Sequence, residues 1–137
     1  MKKVLVVDDS ALVRRQVGNT LKSAGYEIVE AVDGLDARDK LTAIKDVAMI
    51  VCDVTMPRMN GLELLGTLQQ DGFAGSVVML TTEGRPEIVT QARALGAKGW
   101  LVKPLKPDLL LATALIWAVP LSLAALAALV RRILEGA

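Results

Sequence analysis

The sequence predicts an α/β fold, a doubly wound parallel sheet of five strands, with an extra helix at the C-terminal end. Strand-like and helix-like segments alternate along the chain, as they do in proteins built from βαβ units. Several short apolar runs end directly in polar residues: residues 4–7 lead into Asp8, residues 49–52 into Asp53, and residues 77–80 into Thr81. Such runs, bounded by turn residues, indicate strands that are buried on both faces of a parallel sheet.

The helix boundaries follow from capping residues. Ser10 and Asp33 are suitable N-caps for the first two helices, and Gly25 ends the first of them. The third helix begins at Gly61, and prolines suit the first turns of the fourth helix (from residue 86, stopping at 96) and the fifth (from residue 107). The predicted strands are residues 3–8, 27–31, a run that ends at 53, 77–81 and 99–102.

Length and composition limit the class of protein. A chain of 137 residues is expected to form one domain. Its 16 basic and 15 acidic residues nearly balance, so its net charge would not attract nucleic acid. No DNA-binding helix pair is apparent, so we expect no nucleic-acid partner. Cys52 is the only cysteine and lies inside an apolar strand, which predicts a buried, unreactive thiol in a reducing, cytoplasmic compartment. No secretory signal is apparent at the N-terminus.

Three carboxylates are expected to meet at one edge of the sheet. Asp8 and Asp9 follow the first strand and Asp53 ends the third, and open α/β sheets bind ligands at the carboxyl ends of their strands. Like charges this close together disfavour ionisation unless a cation is present. Because the chain has no histidine, an oxygen-only site predicts Mg²⁺ or Mn²⁺. The alternative for Asp8 and Asp9 is that they are only an N-cap of the following helix, placed favourably for its dipole.

The same edge has the groups needed for phosphoryl transfer. Asp53 would be the nucleophile, with a divalent ion neutralising charge on the transferring oxygens. Lys103, which follows the fifth strand, would pair with the phosphoryl oxygens as a point charge. Thr81, at the end of the fourth strand, would donate a hydrogen bond to one of them.

Four blocks of sequence resemble the CheY-like branch of the receiver domains of two-component response regulators, a flavodoxin-like fold. The resemblance covers residues 1 to about 111 and rests on residues 6–10 (VVDDS), 53–61 (DVTMPRMNG), 81–83 (TTE) and 103–104 (KP). It implies that Asp53 takes phosphate from a histidine kinase and that a downstream protein target reads the result. Such a domain catalyses only its own phosphorylation and dephosphorylation, so we do not expect an enzyme that turns over an outside substrate.

The resemblance also implies roles for individual residues. Asp8 or Asp9, Asp53 and the backbone carbonyl of Thr55 would hold Mg²⁺, and Thr81 and Lys103 would contact the phosphoryl group. The Lys103–Pro104 peptide bond would be cis. Thr81 and Trp100 occupy the two positions that move when such domains switch state.

The C-terminal end departs from this family. Receiver domains normally end in an amphipathic helix, whereas residues 109–130 carry no charge and are numerous enough to span a bilayer. Pro120 interrupts this run and predicts two helices, residues 107–118 and 120–135. On a helical wheel the second helix separates leucines from alanines and charges, which favours packing against protein over membrane insertion. We therefore expect a receiver domain at residues 1–118 and an additional amphipathic helix at 119–137.

Two other functions remain open on the sequence. In a receiver domain, the C-terminal helix would pack on the domain or pair with its copy in a homodimer. The first alternative is an engineered or assembly scaffold in which that helix is the functional element. The second alternative is a magnesium-dependent aspartyl phosphohydrolase. Enzymes of the haloacid-dehalogenase type have a second acid two residues after the nucleophile, where this chain has Thr55.

Overall fold

A computed structural model of the chain describes residues 2–82, 85–118, 131–132 and 134–136. Strands and helices alternate strictly through residue 117. In chain order they are β1 (Lys3–Val7), α1 (Ala11–Ser23), β2 (Glu27–Ala31), α2 (Gly34–Ala43), β3 (Val47–Asp53), α3 (Gly61–Gln70), β4 (Ser76–Thr81), α4 (Pro86–Ala94), β5 (Gly99–Val102) and α5 (Pro107–Trp117).

All five strands form one parallel sheet in the order β2-β1-β3-β4-β5. The predicted fold class is therefore confirmed, and the predicted strand boundaries hold except that β1 ends at Val7 and β4 begins one residue early, at Ser76. A short extra helical segment is present near the C-terminus, at residues 131–132 and 134–136. Most of the predicted helix 120–135 lies outside the described residues.

The sheet is covered on both faces, which explains why its central strands are apolar along most of their length. The three central strands β1, β3 and β4 are buried along almost their whole length. Alternate side chains of these strands enter two separate cores: one lies under α2, α3 and α4, and the other under α1 and α5. Because helices cover both faces of the sheet, the polar residues at the ends of its central strands lie along the carboxyl edge.

Helix caps bring the chain back from this edge. The hydroxyl of Ser10 accepts the backbone N–H of Val13, and the carboxylate of Asp33 accepts that of Asp36, so both predicted N-caps are confirmed. Asn60 and Glu63 form a reciprocal capping box at the start of α3, which the sequence analysis did not predict. Side-chain caps thus begin α1, α2 and α3 beside the strand ends.

The outer face of α5 is unusually apolar for a surface helix. Leu110 and Ala114 are buried against the sheet, whereas Leu109, Leu115 and Ile116 are about half exposed. Helix α5 ends at Trp117 with Ala118 as its C-cap, as Pro120 predicts. Among the described residues no helix combines the length and apolar character needed to cross a bilayer.

Candidate functional site

The strand register brings residues from four strands to one place. Val7 pairs with Cys52, so Asp8 and Asp53, one position further on, leave the sheet side by side. Strand β4 lies next to β3, and Thr81 at its end pairs with Val102, directly before Lys103. The site therefore spans the crevice between β1 and β3, where the strand order reverses, which is the usual ligand position in open α/β sheets.

The three predicted carboxylates do form a cluster. One oxygen each from Asp8, Asp9 and Asp53 can be chosen so that all three lie within 4.8 Å of one another. Asp8 and Asp53 are buried and Asp9 is exposed, so the cluster opens to solvent on the Asp9 side. The arrangement differs from simple helix capping, because Ser10 and not an aspartate caps α1.

Asp8 is fixed from several directions. Its Oδ1 accepts the backbone N–H of Ser10 at 2.9 Å, and its own carbonyl oxygen accepts a hydrogen bond from Arg14 at 2.7 Å. Its Oδ2 is buried, and no well-aligned hydrogen-bond donor reaches it among the described residues. The nearest positive charge is the Nζ of Lys103, 3.0 Å away.

Lys103 bridges the two buried acids. Its Nζ lies 3.0 Å from Asp8 Oδ2 and 3.3 Å from Asp53 Oδ2, and its backbone N–H donates to the carbonyl oxygen of Thr81. Burial lowers the pKa of Lys103, but its contact with Asp8 and the charges of both acids outweigh burial and raise that pKa. The side chain is thus held as an ammonium ion. The peptide bond to Pro104 is cis, as the family resemblance implied.

Asp53 is held in a less favourable electrostatic environment. Burial and the neighbouring charge of Asp8 raise the pKa of its carboxyl group, and the ammonium of Lys103 opposes them only in part. The Oδ1 of Asp53 accepts the backbone N–H of Thr55 at 3.3 Å. The carboxylate therefore carries a charge that one more cation would stabilise.

The donor set fits a small divalent cation. Carboxylate oxygens are the ligands that Mg²⁺ and Mn²⁺ prefer, and the described residues offer three of them in one cluster. The buried Oδ2 of Asp8, which lacks a well-aligned donor, is the kind of atom that a metal ion satisfies.

Thr81 and Trp100 lie on the same face of the sheet. Trp100 pairs with Met79 and packs against the core under α2, α3 and α4, and Thr81 follows Met79 by two positions. Thr81 is buried, and Trp100 is half-buried, with an indole N–H that is buried and has no hydrogen-bond partner among the described residues. The two predicted switch positions therefore lie on one face of neighbouring strands, and Thr81 ends the strand next to that of Asp53.

Cys52 is buried next to Asp53, and its thiol donates to the carbonyl oxygen of Asp53 at 3.2 Å. Burial, with smaller contributions from the charges of Asp53 and Asp8, raises the pKa of this thiol. The predicted unreactive role is consistent with both observations, because the thiolate is the reactive form.

One ion pair at the site was not predicted. The guanidinium of Arg58 binds the carboxylate of Asp33 with two hydrogen bonds, Nε to Oδ2 at 2.6 Å and the second nitrogen to Oδ1 at 2.9 Å. The sequence identified Asp33 only as a helix cap. A contact between residues 25 positions apart leaves no periodic signal, so nothing in the pattern pointed to Arg58.

Comparison with known proteins relates most of the chain to one family. Residues 4–115 match the response regulator receiver domain family. Over 112 residues the chain is 41% identical to the chemotaxis protein CheY1 of Helicobacter pylori, a match that covers 79% of this chain and 90% of that protein.

Solved structures give the same result. A structure of the chemotaxis protein CheY4 of Vibrio cholerae superposes with a TM-score of 0.81 at 41% identity, over 85% of this chain and 98% of that one. The Borrelia burgdorferi complex of CheX with CheY, BeF3 and Mg²⁺ contains a chain that superposes with a TM-score of 0.79 at 29% identity, over 84% of this chain and 88% of that one.

The raised pKa of Asp53 predicts a change in stability on substitution. Because the charged form is disfavoured in the folded state, Asp53→Asn should raise the free energy of unfolding of the metal-free protein near neutral pH, on the order of 1 kcal/mol. The destabilisation by the charged Asp53 carboxylate is complete at pH values above its raised pKa in the folded state. It decreases as the pH falls through that pKa. The gain should therefore shrink toward acid and disappear below about pH 4, the unfolded-state pKa of aspartate.

Urea unfolding at several pH values measures this difference. Asp71→Asn is a matched control, because Asp71 is exposed and pairs with Arg38 only at 3.8 Å. That control should change the free energy by less than about 0.5 kcal/mol. A less stable Asp53→Asn variant, or a gain that grows toward acid, would contradict this electrostatic description.

Proposed function

Because the chain belongs to the response regulator receiver domain family, we propose that it is the phosphoacceptor of a chemotaxis-like two-component system and that Asp53 is the residue phosphorylated. The observation that carries the proposal is the acidic cluster. Asp53 lies at the end of a rigid strand, next to two other acids and within 3.3 Å of the Lys103 ammonium.

Asp8, Asp9, Asp53 and the carbonyl of Thr55 would hold Mg²⁺. When bound, this ion neutralises charge on the transferring phosphoryl oxygens. Two observations support the assignment: the acids form a site of hard oxygen ligands, and the Borrelia burgdorferi complex contains a CheY together with BeF3 and Mg²⁺.

The protein's own residues supply the remaining chemistry. A carboxylate oxygen of Asp53 attacks the phosphorus of a phosphohistidine on the kinase, a new O–P bond forms, and the N–P bond breaks with its electron pair going to the histidine. Lys103 Nζ, already between Asp8 and Asp53, moves little to pair with a phosphoryl oxygen. The hydroxyl of Thr81 donates to another. Hydrolysis of the resulting acyl phosphate by water returns the free carboxylate.

The output is a change of shape, as expected of a signalling regulator and not of an enzyme with an outside substrate. A histidine kinase would supply the phosphoryl group, and a downstream protein would bind the switched form. In the Borrelia burgdorferi complex the CheY chain is bound to CheX, which supports a protein target of some kind. We retain the cytoplasm as the proposed location and expect no nucleic-acid partner.

The C-terminal residues 119–137 are also assigned a role only as a proposal. The family match ends at residue 115, which supports a receiver domain at 1–118 followed by a separate helix at 119–137. The exposed leucines and isoleucine of α5 form an apolar surface, and the helix at 119–137 carries Leu134, which is 73% exposed. The two apolar surfaces would cover each other, within one chain or in a homodimer. Light scattering of the detergent-free chain tests self-association, and a strictly monomeric chain would exclude the homodimer.

Acetyl phosphate tests the acceptor directly. With Mg²⁺ and this small phosphodonor, the chain should gain one phosphoryl group by intact mass, because Asp53 needs no kinase residue to react. Asp53→Asn should gain none, and Lys103→Met should lose most of the gain because the transferring oxygens lose their point charge. Equal labelling of the asparagine variant would contradict the assignment of Asp53.

The proposed switch at Thr81 and Trp100 has its own test. In a Trp117→Phe background the remaining tryptophan, Trp100, should become less accessible to acrylamide when beryllofluoride and Mg²⁺ are added, because the half-buried ring turns inward as Thr81 moves to the phosphoryl mimic. Thr81→Ala should reduce this change. Quenching that is the same with and without beryllofluoride, in a protein that binds it, would contradict a role for Trp100.

A further inference from the structure

The loop between β3 and α3, residues 54–60, connects the phosphoacceptor to the rest of the fold. It contains Thr55, whose N–H donates to Asp53 and whose carbonyl is a proposed metal ligand. We infer that the ion pair between Arg58 and Asp33 is a positioning device that fixes the far end of this loop and so sets the geometry of the metal site. This inference rests on the proposed function and deepens it.

The near end of the loop is fixed by close backbone contacts. The N–H of Val54 donates to Leu80, and the N–H of Gly61 donates back to the carbonyl of Val54 at 2.9 Å. A Cβ at Gly61 would lie 2.2 Å from the carbonyl oxygen of Asp53, so only glycine allows the chain to return this closely. The start of the loop and the first residue of α3 thus lie together at the end of β3.

The far end is attached to α2. Besides the two hydrogen bonds from Arg58 to Asp33, the N–H of Gly34 donates to the carbonyl of Met59 at 3.0 Å. A Cβ at Gly34 would lie 2.6 Å from the side chain of Met59 and 2.8 Å from its carbonyl oxygen. The tip of the loop therefore packs directly on the first residues of α2.

Arg58 adopts a conformation that needs support. Its φ of 63° lies in the left-handed region, which is unfavourable for a side chain of this kind. The bidentate pair with a buried carboxylate supplies that support, because guanidinium and carboxylate match in shape and charge. Asp33 is correspondingly stabilised as an anion: its hydrogen bonds from Arg58 hold the pKa of its carboxyl group below the usual value, despite burial.

Thr55 lies three positions before Arg58, between two fixed ends. Loss of the ion pair would leave Met56 and Met59 packed in or against the core and the Gly34 hydrogen bond in place, so the loop would stay folded. The tip of the loop would lose the ion pair that stabilises the left-handed backbone conformation of Arg58. Because Mg²⁺ requires near-ideal octahedral geometry, a small displacement of one ligand weakens binding more than it weakens the fold.

A titration with Mg²⁺ alone separates these effects. Calorimetry of Arg58→Ala should give a Kd about tenfold higher than that of the unsubstituted chain, the lower end of the loss expected when partners of metal ligands are removed. Asp33→Asn should behave alike while retaining the cap of α2, because asparagine caps as well as aspartate. Since the two residues act as one unit, the double variant should bind no more weakly than either single variant.

Two further variants serve as controls. Arg58→Lys should recover only part of the affinity, because an ammonium does not reproduce the paired hydrogen bonds. Arg38→Ala removes a similarly exposed arginine whose acid, Asp71, is 3.8 Å away. Arg38 lines the same surface pocket as Val47, which starts β3 at the opposite end from Asp53, so the Kd of this variant should be unchanged.

The outcomes are distinguishable. Failure of the unsubstituted chain to bind Mg²⁺ would overturn the proposed function itself. Binding by that chain, with the same Kd in Arg58→Ala and only a lower unfolding temperature, would overturn the positioning role and leave the proposed function intact. Faster exchange of the Thr55 amide proton in Arg58→Ala, with unchanged protection in the sheet, is the structural change expected.

Discussion

Like charges crowded at the carboxyl ends of two adjacent strands are the constraint on which the rest of this structure depends. Asp8 and Asp53 leave the sheet side by side, both buried, and the ammonium of Lys103 lies within 3.3 Å of each. Burial and the charge of Asp8 raise the pKa of Asp53, and the single positive charge of Lys103 does not fully offset them. The site accordingly has a deficit of positive charge that a divalent ion would remove.

The surrounding fold keeps this unfavourable arrangement in place. Strands covered on both faces cannot shift without exposing apolar side chains, so the carboxylates cannot move apart. Loop 54–60 is tied to β3 at one end and to α2 at the other, and Ser10 fixes Asp8 from α1. Holding these like charges together lowers the stability of the folded state. The two apolar cores and the helix caps stabilise the fold and offset this loss.

Much of this architecture follows from local pattern, and the exceptions have a physical cause. Strands, the N-caps of α1 and α2 and the residues of the acidic site could be predicted because apolar runs, Ser10, Asp33 and strand-end acids each act within a few positions of sequence. The Arg58–Asp33 ion pair joins segments that are far apart in the sequence. An arginine at position 58 does not by itself indicate which acid it contacts. Leu12 of α1 is apolar but 62% exposed, because the buried side of this helix follows the row of Val17 and Leu21.

Unfolding of the chain in urea at increasing Mg²⁺ concentration tests the charge deficit most directly. An ion that binds only the folded state stabilises it by about 1.4 kcal/mol when present at ten times its Kd. We expect this gain for the unsubstituted chain and its loss in Asp8→Asn and Asp53→Asn. A chain whose stability is indifferent to Mg²⁺, or an Asp53→Asn variant that gains as much, would contradict this expectation.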